Sequence, residues 1–134
     1  MSWESYSLDQ QAHDLVIKYC NQKEALNQAY KMRITVAYGL ERFWGEQLRL
    51  EGAKSQYWRD TWTALVNIMA RSGIEIPNDD VSRDNTPAIK DMADKLWSFP
   101  QDQRKVSLAV LTQLCDSIVW WTQRYKKSGG GDDE

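Results

Sequence analysis

Apolar residues recur at intervals of three and four along most of this chain, and nowhere do they alternate strictly with polar ones; that pattern predicts helices and no strands. The clearest run closes the sequence. Val106, Val110 or Leu111, Leu114, Ile118, Trp121 and Tyr125 fall on one stripe of a long helix, the stripe a neighbouring element would cover. Breakers divide the remainder. Pro77, Pro87 and Pro100 all lie in the second half, and the segments "IEIPNDDVSRDNTP" and "SFPQDQ" around them read as loops. The pattern predicts five helices. The first starts after Ser7 as a cap and passes through Leu15, Val16, Tyr19 and Cys20, extending towards Leu26 and Tyr30. The second covers about 31–51 and ends near Gly52; the third covers about 55–71 and ends at Gly73, a residue that tolerates the left-handed conformation. The fourth runs from the Thr86–Pro87 start to about Trp97, and the fifth from after Pro100 to about Lys127. The expectation is an all-α chain, a compact bundle of about five helices forming a single domain over 1–127. A tail at 128–134, "SGGGDDE", is too polar and glycine-rich to fold and should be disordered.

Helical geometry also sorts the tryptophans. Neighbours on a helix point about 100° apart, so Trp120 and Trp121 cannot both sit at the middle of one stripe. Trp121 continues the Leu114 and Ile118 series and belongs to the core. Trp120 lies at the margin, where it is covered by a neighbouring helix or meets another molecule. Trp58 and Trp62 are four apart and share a side, with Arg59 beside them. Seven tryptophans in so short a chain exceed what a small helical core easily hides. Some of Trp3, Trp44, Trp58, Trp97 and Trp120 should therefore lie near the surface, with Trp58, Trp97 and Trp120 the candidate anchors for a protein partner.

Charge and chemistry narrow the function. With 17 Lys plus Arg against 19 Asp plus Glu, a formal net charge of −2, any nucleic-acid binding must come from a local patch. No apolar run approaches the ~18 residues of a membrane span, and the first residues lack a basic, apolar leader; the expected place is the cytoplasm, with no membrane partner. Cys20 and Cys115, far apart and without a CxxC, are expected to be buried thiols. His13 is the one histidine, better suited to a packed or solvated role than to general-base work. Asp91 and Asp94 lie three residues apart, a weak magnesium pair at best. Gly39 and Gly45 sit inside a helical pattern, as points of close helix packing rather than a phosphate loop. No enzyme activity, metal, cofactor or small-molecule substrate is expected. Between Lys31 and Arg71, however, seven cations face four anions. Lys31, Tyr38, Arg42 and Arg49 are spaced seven, four and seven, on one helical face, with Val36, Leu40, Phe43 and Leu50 opposite. Such a row is either an ordinary solvated face or a track for RNA or DNA phosphates.

Three segments carry a resemblance. "NQAYKMRITVAYGLERFWGEQL", with its Gly39–Leu40 pair and Phe43, is followed by "YWRDTWTALVNIM" and, at the end of the chain, "LCDSIVWWTQRYKK". In this order they resemble the small all-helical subunit of type III CRISPR effector complexes, most closely that of the RAMP-module (type III-B) branch and next that of the Csm-type branch. The likeness covers about residues 8–71 and 103–127. It implies a non-catalytic subunit of an antiviral ribonucleoprotein that stacks in copies of itself among the other subunits and lies along guide RNA and target RNA. It also implies phosphate contacts by Lys31, Arg42, Arg49, Lys54 and Arg59, which lie in the matching helices, with Arg124, Lys126 and Lys127 as a second patch. The alternative reading is a helical adaptor that binds a protein through its tryptophans and has no nucleic-acid role.

Overall fold

A computed structural model describes the backbone of residues 2–129 and the side chains of residues 8–125. It contains α1 (Ser2–Tyr19), α2 (Lys23–Leu26), α3 (Gln28–Thr35), a 3₁₀ turn (Val36–Tyr38), α4 (Leu40–Arg49), α5 (Gly52–Ala70), α6 (Thr86–Trp97) and α7 (Gln101–Gly129). Among the described residues there is no strand, so the all-α expectation holds. No helix there is long and apolar enough to cross a membrane. The expected tail overlaps α7 at Ser128 and Gly129, and its other residues lie outside the described ones.

Helix α5 sits at the centre, packed by α1, α2, α3, α4 and α7. Its residues Tyr57, Trp58, Trp62, Leu65, Ile68 and Met69 are all buried. Phe43 of α4 lies 4.8 Å from Trp58 and 6.3 Å from Trp62, ring centre to ring centre. Each indole N–H finds an acceptor: Trp58 Nε1 donates to Gln28 Oε1 at 2.9 Å and Trp62 Nε1 to the Pro77 carbonyl at 3.1 Å. This overturns the placing of Trp58 as an interface anchor, since it is only 1% exposed. Its acceptor comes from thirty residues upstream, a pairing no helical periodicity reveals.

The two expected helices over 8–51 are in fact four α-helices and a 3₁₀ turn. The chain turns at Cys20–Gln22 between α1 and α2, and Gly39 splits the second predicted helix. Its φ of +103° and ψ of 172° belong to a region almost closed to residues with a Cβ. Gly39 is thus a hinge between the 3₁₀ turn and α4, not a point of close helix packing, and Gly45 is not one either, because a Cβ there would meet nothing within 4 Å. Helix α1 begins at Ser2 rather than after Ser7, since no glycine or proline interrupts the first residues. Gly73 behaves as expected: with φ +81° it ends α5, while the Ile74 amide reaches back to the Met69 carbonyl at 3.0 Å. At α6 the cap is Asn85, whose side chain accepts from the Ala88 amide at 3.1 Å, one residue before the expected Thr86.

On α7 the stripe is rotated from the predicted one. Leu111, Leu114, Cys115 and Ile118 are fully buried, whereas Val106 is 46% exposed and Trp121 and Tyr125 only pack against the edge of the core. The reason is α1: His13 stacks on Trp121 with centroids 4.0 Å apart, and Asp9 accepts from Trp121 Nε1 at 3.2 Å. A ring held at the rim by one polar contact and by its ring neighbours His13, Trp120 and Tyr125 stays only partly buried. Burial pushes the Cys115 thiol well above its ordinary pKa, outweighing the opposing pull of Arg33; Cys20 is only half-buried.

A polar staple ties α1 to α5. Asp60 accepts from Lys18 Nζ at 2.7 Å, from the Tyr19 hydroxyl at 2.6 Å and from Gln56 Nε2 at 3.0 Å. Burial raises the Asp60 carboxyl, but those donors outweigh it and hold the group below the ordinary aspartate value. Burial, then Asp60, pushes the Tyr19 hydroxyl far up, so it stays a donor.

Ile118→Ala should cost about 2–5 kcal/mol through lost transfer energy and a residual cavity, while Val106→Ala should cost under ~0.5 kcal/mol; chemical denaturation of the two variants checks the rotated stripe. The staple predicts an acid effect. Because folding lowers the Asp60 pKa, its contribution is fully present above the unfolded-state value of about 3.9 and is lost as pH falls through the lower folded value. Asp60→Asn should therefore be less stable than wild type at pH 7, with the gap closing below about pH 4, measured as melting temperature against pH.

Candidate nucleic-acid interface

The cations expected to hold phosphates divide by their surroundings. Arg49 is turned onto its own helix, where its guanidinium meets Glu46 Oε1 at 2.7 Å. Arg59 donates to Gln47 Oε1 at 2.9 Å and to Asp80 at 3.1 Å, on the loop that connects α5 to α6. Arg33 pairs with Asp116 at 2.5 Å. Lys31, Arg42 and Lys54, by contrast, have no carboxylate partner among the described residues, and Lys31 and Arg42 are exposed. The predicted row does not share one helix, since Lys31 lies on α3, Tyr38 in the 3₁₀ turn and Arg42 and Arg49 on α4 beyond the break at Gly39; of the candidate phosphate contacts with described side chains, Arg49 and Arg59 are paired with carboxylates, and Lys31, Arg42 and Lys54 are not.

Arg42 and Arg49 line a groove of ≈ 560 Å³ between α4 and α6, within the ~300–1,000 Å³ range of cavities that hold ligands. Tyr38 and Trp97 also line it, 64% and 63% exposed respectively. Trp44, Leu48, Ile89 and Ala93 supply apolar surface, and Gly45 leaves space where a side chain would stand. The Arg42 guanidinium lies over the Tyr38 ring, 5.6 Å from its centre. The two acids in the groove have partners: Glu46 holds Arg49, and Glu41 receives Arg104 of α7 at 3.0 Å. Arg104 also donates to the Leu96 carbonyl at the end of α6, and so fixes α6 and α7 relative to α4. Sequence spacing placed Tyr38 and Arg42 together; that Trp97 joins them follows only from the way α6 folds back on α4.

The second expected patch is part described. Trp120 is 50% exposed and stands edge-on to Trp121 with centroids 4.8 Å apart. Arg124 lies over its ring at 4.6 Å. The side chains of Lys126 and Lys127 lie outside the described residues, as does that of Trp3. Trp120 thus occupies the margin position assigned to it, uncovered over half its surface.

His13 shares a 2.6 Å hydrogen bond through Nε2 with the Tyr125 hydroxyl while stacked on Trp121, a packed position between two helices. Asp94 pairs with Lys90 at 3.0 Å. A polar depression of ≈ 230 Å³ between α1 and α5, lined by Asp14, Lys18 and Asp60, contains the staple, whose carboxylate already receives three donors. The described residues contain no group of three or more His, Cys, Asp or Glu placed to hold a metal ion.

Comparison with family models, with curated proteins and with solved structures yields no match to this chain.

Trp58 and Trp120, two of the three candidate anchors, should separate on mutation. Trp58→Ala should cost about 3–5 kcal/mol, leaving a core cavity and an unpaired Gln28. Trp120→Ala should cost less than about 1 kcal/mol. Parallel urea titrations of the two variants check this.

Proposed function

We propose that this chain is a non-catalytic helical subunit of an RNA-guided antiviral ribonucleoprotein of the type III CRISPR kind, lying along guide and target RNA and contacting their phosphates. One observation carries the reading: on a chain of net negative charge, Lys31, Arg42 and Lys54 stand on α3, α4 and α5 without carboxylate partners among the described residues. Backbone contacts of this kind position a strand without reading its sequence. The segments "NQAYKMRITVAYGLERFWGEQL", "YWRDTWTALVNIM" and "LCDSIVWWTQRYKK" support the placement in that family by residue type and order.

A second reading is favoured by the half-exposed Trp120 and the exposed Trp97, which suit an adaptor that binds a protein partner. The two readings differ in what the free cations do.

Isolated protein should bind single-stranded RNA without sequence preference, with log K falling against log salt by about 0.7 per phosphate contacted. Reversing Lys31, Arg42 and Lys54 together to Glu should weaken binding and shallow that slope by about 2, with the melting temperature unchanged. Reversing Arg49 and Arg59 should affect RNA less, because each already holds a carboxylate of its own chain. Fluorescence anisotropy across a salt series measures both effects. A triple reversal that leaves RNA binding and its salt slope unaltered removes the RNA role and leaves the adaptor.

A further inference from the structure

We infer that the groove between α4 and α6 receives an unpaired nucleobase from the RNA strand, its face laid on Trp97 or Tyr38 and its neighbouring phosphate met by Arg42. This rests on the RNA-contacting reading above and adds what that reading leaves open: which form of RNA the surface selects, and where.

Two large aromatic rings more than half in solvent are unusual on a chain whose other described tryptophans, apart from Trp120 and Trp121, are buried, and both line one groove. Flat rings in water gain most from another flat ring, and every base has such a face, so stacking is strong and tolerant of sequence. Within a duplex those faces are covered by neighbouring pairs; only an unstacked nucleotide offers one.

The charge in the groove points the same way. Glu41 and Glu46 are engaged by Arg104 and Arg49, so the unmatched charge belongs to Arg42, which is held by the Tyr38 ring and not by a carboxylate. An apolar helix laid here would bury that guanidinium without a counter-charge, at a large desolvation cost. A nucleotide brings the counter-charge with its base: ring for ring, and phosphate for guanidinium. Gly45 opens the space. Nothing lies within 4 Å of where its Cβ would be, and Gly45 is the one residue of α4 without a side chain, set in the lining of the groove.

That gap supplies the test. Gly45→Leu should place a side chain in the groove, its Cβ in open space, and, by replacing glycine inside a helix, should not lower the melting temperature. Wild type, Gly45→Leu, Trp97→Ala and the Lys31/Arg42/Lys54 triple reversal are titrated with an unstructured RNA oligonucleotide and with a blunt RNA duplex of the same length, at several salt concentrations. Wild type is expected to prefer the single strand. Gly45→Leu and Trp97→Ala should each lose about tenfold in affinity for the single strand, with an unchanged salt slope and unchanged duplex binding. Equal binding of single strand and duplex by wild type overturns the inference, as does wild-type affinity for the single strand in both groove variants. If the groove variants are silent while the triple reversal still weakens binding, the stacking site falls and the phosphate reading stands; if all three are silent, both fall.

Discussion

The burial of helix α5 is the constraint on which the rest of this structure depends. A helix that places Tyr57, Trp58, Trp62, Leu65, Ile68 and Met69 in the core exposes little of its surface, so one or two neighbours cannot cover it. Five helices pack on it, and the short pieces α2 and α3 exist because the chain must bend twice to lay residues 23–35 against it. The indoles sharpen the requirement. Each carries an N–H that costs free energy if buried without an acceptor, and the acceptors come from opposite directions in sequence: Gln28 before α5 and Pro77 after it. The loop after α5 is accordingly well tied. Ile76 and Val81 are buried, and Asp79, Asp80 and Arg83 pair with Lys95, Arg59 and Glu51.

From this packing the candidate interface follows. Tying the loop engages Arg59 internally, and the Glu46 pair engages Arg49, which leaves Arg42 as the unmatched guanidinium of α4. The break at Gly39 puts Tyr38 in a 3₁₀ turn just before α4, where its ring lies out in solvent beneath Arg42. Helix α6, with only Met92 and Leu96 buried, lies along α4 and contributes Trp97. The groove is thus a consequence of how the chain returns to α4 after covering α5, and its chemistry is that of the residues left without internal work.

Much of the fold was legible. Periodicity of three and four gave the helical class, Gly73 the end of α5, Pro87 and Pro100 the starts of α6 and α7, and Leu111, Leu114 and Ile118 the inner face of α7. Those signals are local: each depends on backbone geometry within a turn or two. The misplaced elements also have local causes. Gly39 sits in a helical pattern that reads as close helix packing, and nothing in the sequence nearby demands a positive φ; Val106 obeys the spacing but stays 46% exposed.

The candidate site was less legible, for a different reason. Residue type and spacing told which side chains were cationic or aromatic, and placed Tyr38 beside Arg42 correctly. They could not tell which charges would be matched, since Arg59 finds Asp80 across a loop, Glu41 finds Arg104 from α7 and Arg33 finds Asp116, sixty-three and eighty-three residues away in the last two cases. Nor could they tell Trp58 from Trp97, both set at helical positions. One is buried because Gln28 and Phe43 meet it, and the other is exposed because α6 ends there. Sequence alone determined what each residue is able to do through its own chemistry and its own turn of helix; the tertiary structure decided which of those abilities are already spent inside the molecule, because ion pairs and indole hydrogen bonds depend on distances that only the folded chain defines.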